Sequence, residues 1–442
     1  MQLNILFLVL DSLRYDAVHS NETDTPTLDR LANCGVTFTR CFAQGISTAP
    51  SMTSMLTGRY PLDYGGHWYL EEHQPTMAEQ FRRNGYTTGA IHSNPNVSRL
   101  RNFDRGFDTF EENILPYAPG DLVNRAPDAF VRYANKAVRI LRRRPYLPAA
   151  EINRALRDWI AATEDPWFLW TQYMDVHGPY LPGVDAGYRE KVRAERLWRK
   201  AAVNAPENIT SEEHDELWRN YRKEVEYLDR ELGSFFMSLE KLGLLSDSIV
   251  VVVSDHGDEF AEHGLYGHGN LPYDELTRVP LLVRFPDSVS VDQPQSVETM
   301  VRTVDILPTL LDVLDAEYSS AMRDRLEGES LLPVIDGDDP SYDIVVTEKE
   351  VRGETSLRIG LREDCWKYIY DGKADERHLY DLSSHTAEID NVVDRHPEVA
   401  NRFRERLTRR LDTIEATSEG IHTPDVEDEH GVSERLRSLG YK

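Results

Sequence analysis

The stretch "SIVVVVSDH", residues 248–256, contains an isoleucine and four valines in an unbroken row with no alternating polar positions. A strand of that composition suits a position buried on both faces rather than one face toward water. Helices on both sides of a sheet create such a position, so the stretch predicts an α/β architecture with a mostly parallel, doubly wound sheet. The apolar run stops at Asp255 and His256. Neighbouring residues in a strand point to opposite faces, so the two can act together only from a loop, and Gly257 permits the turn that requires.

Working outward, "NILFLVLD" (4–11) has the same character and ends in Asp11. "VTFTRCFAQ" (36–44), "YTTGAIHSN" (86–94), "PWFLWTQYMDVH" (166–177) and "RVPLLVRFP" (278–286) supply further strands. Helical patterns lie between them: "TPTLDRLANCG" (25–35), with Thr25 as cap and Gly35 as stop, "TMAEQFRRNG" (76–85), and "VRTVDILPTLLDVLD" (301–315). Residues 120–164 and 187–243 are charged with helical period. From about residue 340, "YDIVVTEKEV" (342–351), "SLRIGLRE" (356–363) and "WKYIYDG" (366–372) read as a small antiparallel sheet, followed by a helix over 397–416. The expected organisation is a catalytic α/β domain over 1–338, an α+β subdomain over 339–418 and a polar tail over 419–442.

Composition narrows the function. Fifty basic residues stand against 76 acidic ones in 442, a net charge of −26. That surface repels phosphate backbones and anionic lipid, which argues against nucleic-acid or membrane-surface binding. Nine lysines among the 50 basic residues, with so many carboxylates, suggest a protein adapted to concentrated salt. Three scattered cysteines provide neither a disulfide framework nor metal-ligand spacing. No run reaches the roughly 18 apolar residues of a membrane span, and the first strand lacks a signal peptide's basic and small-residue flanks. These features point to a cytoplasmic protein.

In an open parallel sheet, ligands bind beyond the carboxyl ends of the strands. Three such ends carry Asp11, Asp175 with His177, and Asp255 with His256. Asp and His suit a divalent ion with mixed oxygen and nitrogen ligands. "STAPSMTSMLTGR" (47–59) is ambiguous, because Thr48 before Pro50 has the form of an ordinary helix cap and is also a hydroxyl that could react. The Arg-rich "RILRRRP" (139–145) reads as a solvated helix face.

Taken in order, "NILFLVLDSLRYD", "TAPSMTSMLTGRYP", "DVHGPYLP", "SDHGDEFAEHGLYGHGNLPYDELTRVPLLV" and "HLYDLSSHTAEIDNV" resemble the sulfatases, a branch of the alkaline-phosphatase superfamily, from residue 3 to about 395. The resemblance implies a single divalent ion, Mn²⁺ foremost with Ca²⁺, Zn²⁺ or Mg²⁺ as alternatives, held by Asp11, Asp255, His256 and Thr48. It places Thr48 at the nucleophile position and gives His177 and His268 contact with the transferred group and protonation of the leaving oxygen. Arg59 is expected to buttress the loop or touch substrate.

The sequence also departs from the family pattern. Sulfatases carry Cys or Ser at the nucleophile, which is oxidised to formylglycine; Thr48 cannot form that aldehyde. Met52 stands where an arginine is usual, and Ser12 replaces the second aspartate of the usual pair. A threonine on one ion resembles the phosphoglycerol-transferase branch. The expectation is therefore a metal-dependent hydrolase or transferase of phosphate mono- or diesters, small or glycan-linked, working through a covalent Thr48 intermediate. The alternatives are a sulfuric-ester hydrolase without formylglycine and an inactive binder of anionic ligands.

Overall fold

In the computed structural model, the described residues are 3–18, 20, 22–64, 69–71, 74–112, 146–183, 186–350, 357–383 and 387–418. The predicted polar tail, the basic stretch 139–145 and much of the 120–164 helical segment lie outside them.

The strands of the large sheet are β1 (Asn4–Leu10), β2 (Val36–Phe42), β3 (Thr87–His92), β4 (Thr109–Glu112), β5 (Trp167–Tyr173) and β6 (Ser248–Val253). After the short hairpin of β7 (Glu259–Phe260) and β8 (Tyr266–Gly267) come β9 (Arg278–Arg284), β10 (Gln295–Val297) and β11 (Val301–Arg302). The order across the sheet is β10-β2-β9-β6-β1-β5-β3-β4, with β11 also on β2. All pairs are parallel except those of β9, which runs antiparallel to both β2 and β6. The mostly parallel sheet is thus as predicted, and β9 is its one reversed strand among the described residues.

β1 and β6 are buried at every position, as their unbroken apolar runs require. Ile5, Phe7 and Val9 face one apolar core with Met52, Met55 and Leu56; Leu6, Leu8 and Leu10 face the other with Leu217, Leu228 and Leu232. The latter leucines come from the 31-residue helix Ser211–Lys241, which opens with a capping box from Thr210 and Glu213. At ~25 cal/mol per Å² of apolar area, two such cores supply the main driving force for folding.

Two local expectations are corrected. Thr25 makes no cap hydrogen bond with its side chain, whose hydroxyl reaches the Val18 carbonyl, and helix Pro26–Ala32 ends at Asn33 rather than Gly35. Gly35 serves packing instead: a Cβ there would lie 2.6 Å from the Val283 carbonyl oxygen.

The C-terminal sheet is antiparallel and has four strands, β12 (Val345–Glu350), β13 (Leu357–Arg362), β14 (Trp366–Asp371) and β15 (Glu376–Asp381), in that order. The sequence predicts the first three; β15 hides inside the late motif "HLYDL". Helix Pro397–Ser418 packs its Ala400, Phe403 and Leu407 on this sheet beside Ile359, Leu361 and Leu379.

Candidate active site

Thr48 is not a helix cap. Helix Thr48–Thr57 has Ser47 at its cap position, in extended conformation and without a side-chain cap bond. Thr48 is the first helical residue, buried, and its hydroxyl lies 3.2 Å from Asp11 Oδ2 and 3.5 Å from His256 Nε2. Ser47 takes the boundary position, which frees the threonine to face the strand ends. The helix N-terminus contributes positive potential at the same point.

Asp11, Asp255 and His256 converge there, their ligand atoms within 4.8 Å of one another and their side chains wholly buried. Asp11 follows β1, and Asp255 and His256 occupy the loop after β6, so two adjacent strands deliver them. Gly257 is needed here for space, because a Cβ would lie 2.0 Å from the Glu275 carbonyl oxygen.

The electrostatics of the group fit a cation. Burial pushes the Asp11 carboxyl above its ordinary value, with Asp255 adding to the effect, and burial raises Asp255 to about 7. Among the described residues no lysine or arginine pairs with either carboxylate. His256 Nδ1 lies 2.8 Å from the Gly257 carbonyl, so the neutral ring donates there and leaves the Nε2 lone pair facing Asp11, Asp255 and Thr48. Burial lowers that imidazole to about 4, keeping it neutral. Two carboxylates, a neutral imidazole with its tautomer fixed and a hydroxyl form a suitable ligand set for one divalent ion.

His177 and His268 stand beside this group. The His268 ring lies 4.3 Å from that of His256 and 5.4 Å from that of His177, centroid to centroid. Their states differ. His177 Nδ1 lies 2.7 Å from the Gly178 carbonyl, and burial lowers its pKa. His268 Nδ1 meets Asp258 Oδ1 at 2.7 Å; burial opposes the charge, but Asp258, Asp11 and Asp255 together raise the imidazole above its ordinary value. Asp258 is fully buried and also accepts a hydrogen bond from the Tyr180 hydroxyl.

Arg59 does not join them. Its Nη2 donates to the Asp63 carbonyl at 3.1 Å and its Nε lies 3.7 Å from Glu327 Oε2. Of the other strand-end acids, Asp175 accepts from the Ala149 amide at the start of helix Ala149–Ala162. Met52 is wholly buried in the apolar core, so this position brings no charge to Thr48. His67 lies outside the described residues.

Three further neighbours hold the carboxylates. Asn94 Nδ2 donates to Asp11 Oδ2 at 2.8 Å, and Gln172 Nε2 donates to Asp11 Oδ2 at 2.7 Å and Asp255 Oδ2 at 3.0 Å. Ser12, in the left-handed region at φ 61°, turns its amide to Asp255 and its hydroxyl to Asp11. Gln172 lies inside β5, level with Val9 of β1 and His92 of β3. Its only signal was an amide side chain, next to Thr171, inside the otherwise aromatic and apolar "WFLWTQY".

The mostly parallel sheet gathers acidic and histidine side chains at its strand ends, and comparison with known proteins gives the family. The chain belongs to the sulfatase family: the family profile "Sulfatase" matches residues 3–316, and "N-sulphoglucosamine sulphohydrolase, C-terminal" matches residues 261–416. An ulvan-active sulfatase of Formosa agariphila is 26% identical over 362 residues, covering 77% of this chain and 66% of that protein. An arylsulfatase of Clostridium perfringens is 24% identical over 460 residues, covering 92% of each. The crystal structure of the phosphonate monoester hydrolase of Agrobacterium radiobacter superposes with a TM-score of 0.72 at 21% identity, covering 93% of this chain and 96% of that one.

Proposed function

We propose that this protein hydrolyses or transfers phosphoryl esters (phosphate mono- or diesters, or phosphonate esters) through a covalent Thr48 intermediate with one divalent ion at the site. The observation that carries the proposal is the Thr48 hydroxyl held between Asp11 and His256 rather than in a helix cap. When bound to Asp11, Asp255, His256 and Thr48, the ion would supply acidification of the hydroxyl and neutralisation of charge on the transferred group.

The residues divide the remaining chemistry. Thr48 Oγ1 forms the new bond to phosphorus as the bond to the leaving oxygen breaks, and its proton has Asp11 Oδ2 as nearest acceptor. His268 has Nδ1 held by Asp258, which leaves Nε2–H of the charged ring to protonate the departing alkoxide. Neutral His177, with Nδ1 directed at the Gly178 carbonyl, has an unprotonated Nε2 to accept a proton from the water or alcohol that releases the group from Thr48. Atoms balance: ester plus water gives alcohol plus phosphate or phosphonate, with Thr48 restored.

The single hydroxyl of Thr48 favours phosphorus over sulfur. The hydrated aldehyde of formylglycine can expel sulfate through its second hydroxyl; threonine has one hydroxyl, so release needs attack on the transferred group itself. Sulfate-ester hydrolysis remains the second reading, favoured by the family and by relatives named as sulfatases. Turnover of nitrophenyl phosphate, bis-nitrophenyl phosphate, a phosphonate monoester and nitrophenyl sulfate by the purified protein separates the two; turnover of sulfate alone contradicts the proposal. The glycan-linked substrate, the cytoplasmic location and the salt adaptation belong to the same proposal. The acidic composition supports the last of these.

A further inference from the structure

The ligand set described so far has lost one oxygen relative to the family pattern, because Ser12 stands where a second aspartate is usual. The Ser12 hydroxyl is already committed to Asp11 and its amide to Asp255. Two side-chain amides have moved in on the carboxylates instead, and they are not equivalent. Asn94 has a fixed orientation: its Oδ1 accepts from the Asn96 amide at 2.8 Å, so its Nδ2 must be the end facing Asp11. Gln172 has no such anchor. Its Oε1 is fully buried and has no hydrogen-bond partner, while its other terminal atom lies between Asp11 and Asp255.

A buried carbonyl oxygen left without a partner costs on the order of 1–3 kcal/mol. Rotating the amide by half a turn exchanges its oxygen and nitrogen. Without a cation that rotation would set three oxygens against each other, so Nε2 faces the carboxylates. With a dication between the carboxylates the preference reverses, because an N–H is repelled where an oxygen is attracted.

The distances fit a shared coordination shell. Six ligands at ~2.2 Å around one ion place adjacent ligand atoms ~3.1 Å apart. The Gln172 terminal atom lies 2.7 and 3.0 Å from the two carboxylate oxygens, and Thr48 Oγ1 lies 3.2 Å from Asp11 Oδ2. His256 Nε2 completes the edge set at 3.5 Å from Thr48 and 3.7 Å from Asp255. Gln172 is thus near enough to both carboxylates to share that shell once its oxygen is the end that faces them.

We propose that Gln172 is a fifth protein ligand, presenting Oε1 to the ion held by Asp11, Thr48, Asp255 and His256 and replacing the oxygen lost at Ser12. This rests on the proposed metal-dependent reading. It adds a neutral oxygen donor to a shell of two carboxylates, a hydroxyl and one imidazole nitrogen.

The test uses the full chain and Mn²⁺ alone, without substrate. Calorimetric titration gives affinity, and electron-nuclear double resonance in H₂¹⁷O counts the waters on the ion. Gln172→Ala is expected to weaken Mn²⁺ at least tenfold and to admit one additional water; Gln172→Glu, which retains an oxygen but has no N–H, is expected to bind at least as tightly as the parent. Weakening in Gln172→Ala with no added water would make Gln172 an outer-sphere donor and overturn the assignment, as would unchanged affinity. A Mn²⁺-soaked crystal of the unaltered protein gives the same answer without a variant: Gln172 within ~2.4 Å of the ion supports the assignment, and beyond 3 Å refutes it. If the unaltered protein takes up no Mn²⁺, Mg²⁺, Ca²⁺ or Zn²⁺, the metal-dependent reading itself falls and this assignment with it.

Discussion

At the scale of single residues, Thr48 and Ser47 divide two roles that one sequence pattern could assign to either. With Ser47 at the helix boundary, Thr48 faces Asp11, so removing its hydroxyl should abolish chemistry with little effect on the fold. Thr48→Ala is expected to lower kcat by at least ~10³-fold while leaving the melting temperature nearly unchanged, and Thr48→Ser to retain measurable turnover. Arg59 makes the opposite prediction. Its partners are the Asp63 carbonyl and Glu327, so Arg59→Ala should cost ~1–2 kcal/mol of stability in urea titration and leave KM within about twofold. The sequence revealed Asp11, Asp255 and His256 because each ends a recognisable apolar run. Gln172 was hidden because it lies within such a run, and its meaning comes from pairing of β5 with β1 and β3, far apart in the chain.

At the scale of elements, the helix Pro397–Ser418 is tied to the segment that follows the helix Thr48–Thr57. Arg410 bridges Asp63 at 2.6 Å and Glu348 of β12 at 2.5 Å, and both carboxylates are fully buried at the side chain. Arg410→Ala would leave two buried charges without their shared cation, so a loss of ~3–5 kcal/mol is expected in denaturant unfolding. The hairpin of β7 and β8 carries a titration of its own. Burial raises Glu259, whose Oε2 accepts from Asn270, to about 7. A carboxyl raised in the folded state binds its proton more tightly there than in the unfolded chain. Its stabilising contribution is therefore complete below about 4.5 and is lost as pH rises toward 7. Glu259→Gln should remove up to ~3 kcal/mol of that dependence, seen as a flatter profile of melting temperature against pH between 4.5 and 7. The sequence reading missed β15 because its apolar positions are few: of Glu376–Asp381, Leu379 and Tyr380 are buried and the flanking residues are half-exposed or exposed.

At the scale of the whole molecule, the unbroken valine run and its apolar partners made the two-sided sheet legible, because such strands have no stable place at a surface. Sequence did not reveal the reversal of β9: periodicity reports burial but not strand direction, and β9 is as apolar as its parallel neighbours. Among the described residues no helix is long and apolar enough to cross a membrane. The net charge of −26 predicts that the melting temperature rises as KCl is increased from 0.1 to 2 M, since salt screens repulsion among the excess carboxylates. A flat or falling profile would contradict the proposed salt adaptation. The central claim is the chemistry at Thr48, and a rapid-quench reaction with a phosphonate or phosphate diester, digested and read by mass spectrometry, tests it most directly. The account predicts a phosphoryl or phosphonyl group on the peptide carrying Thr48, absent in Thr48→Ala; full turnover by that variant, or a transferred group found on another residue, would contradict it.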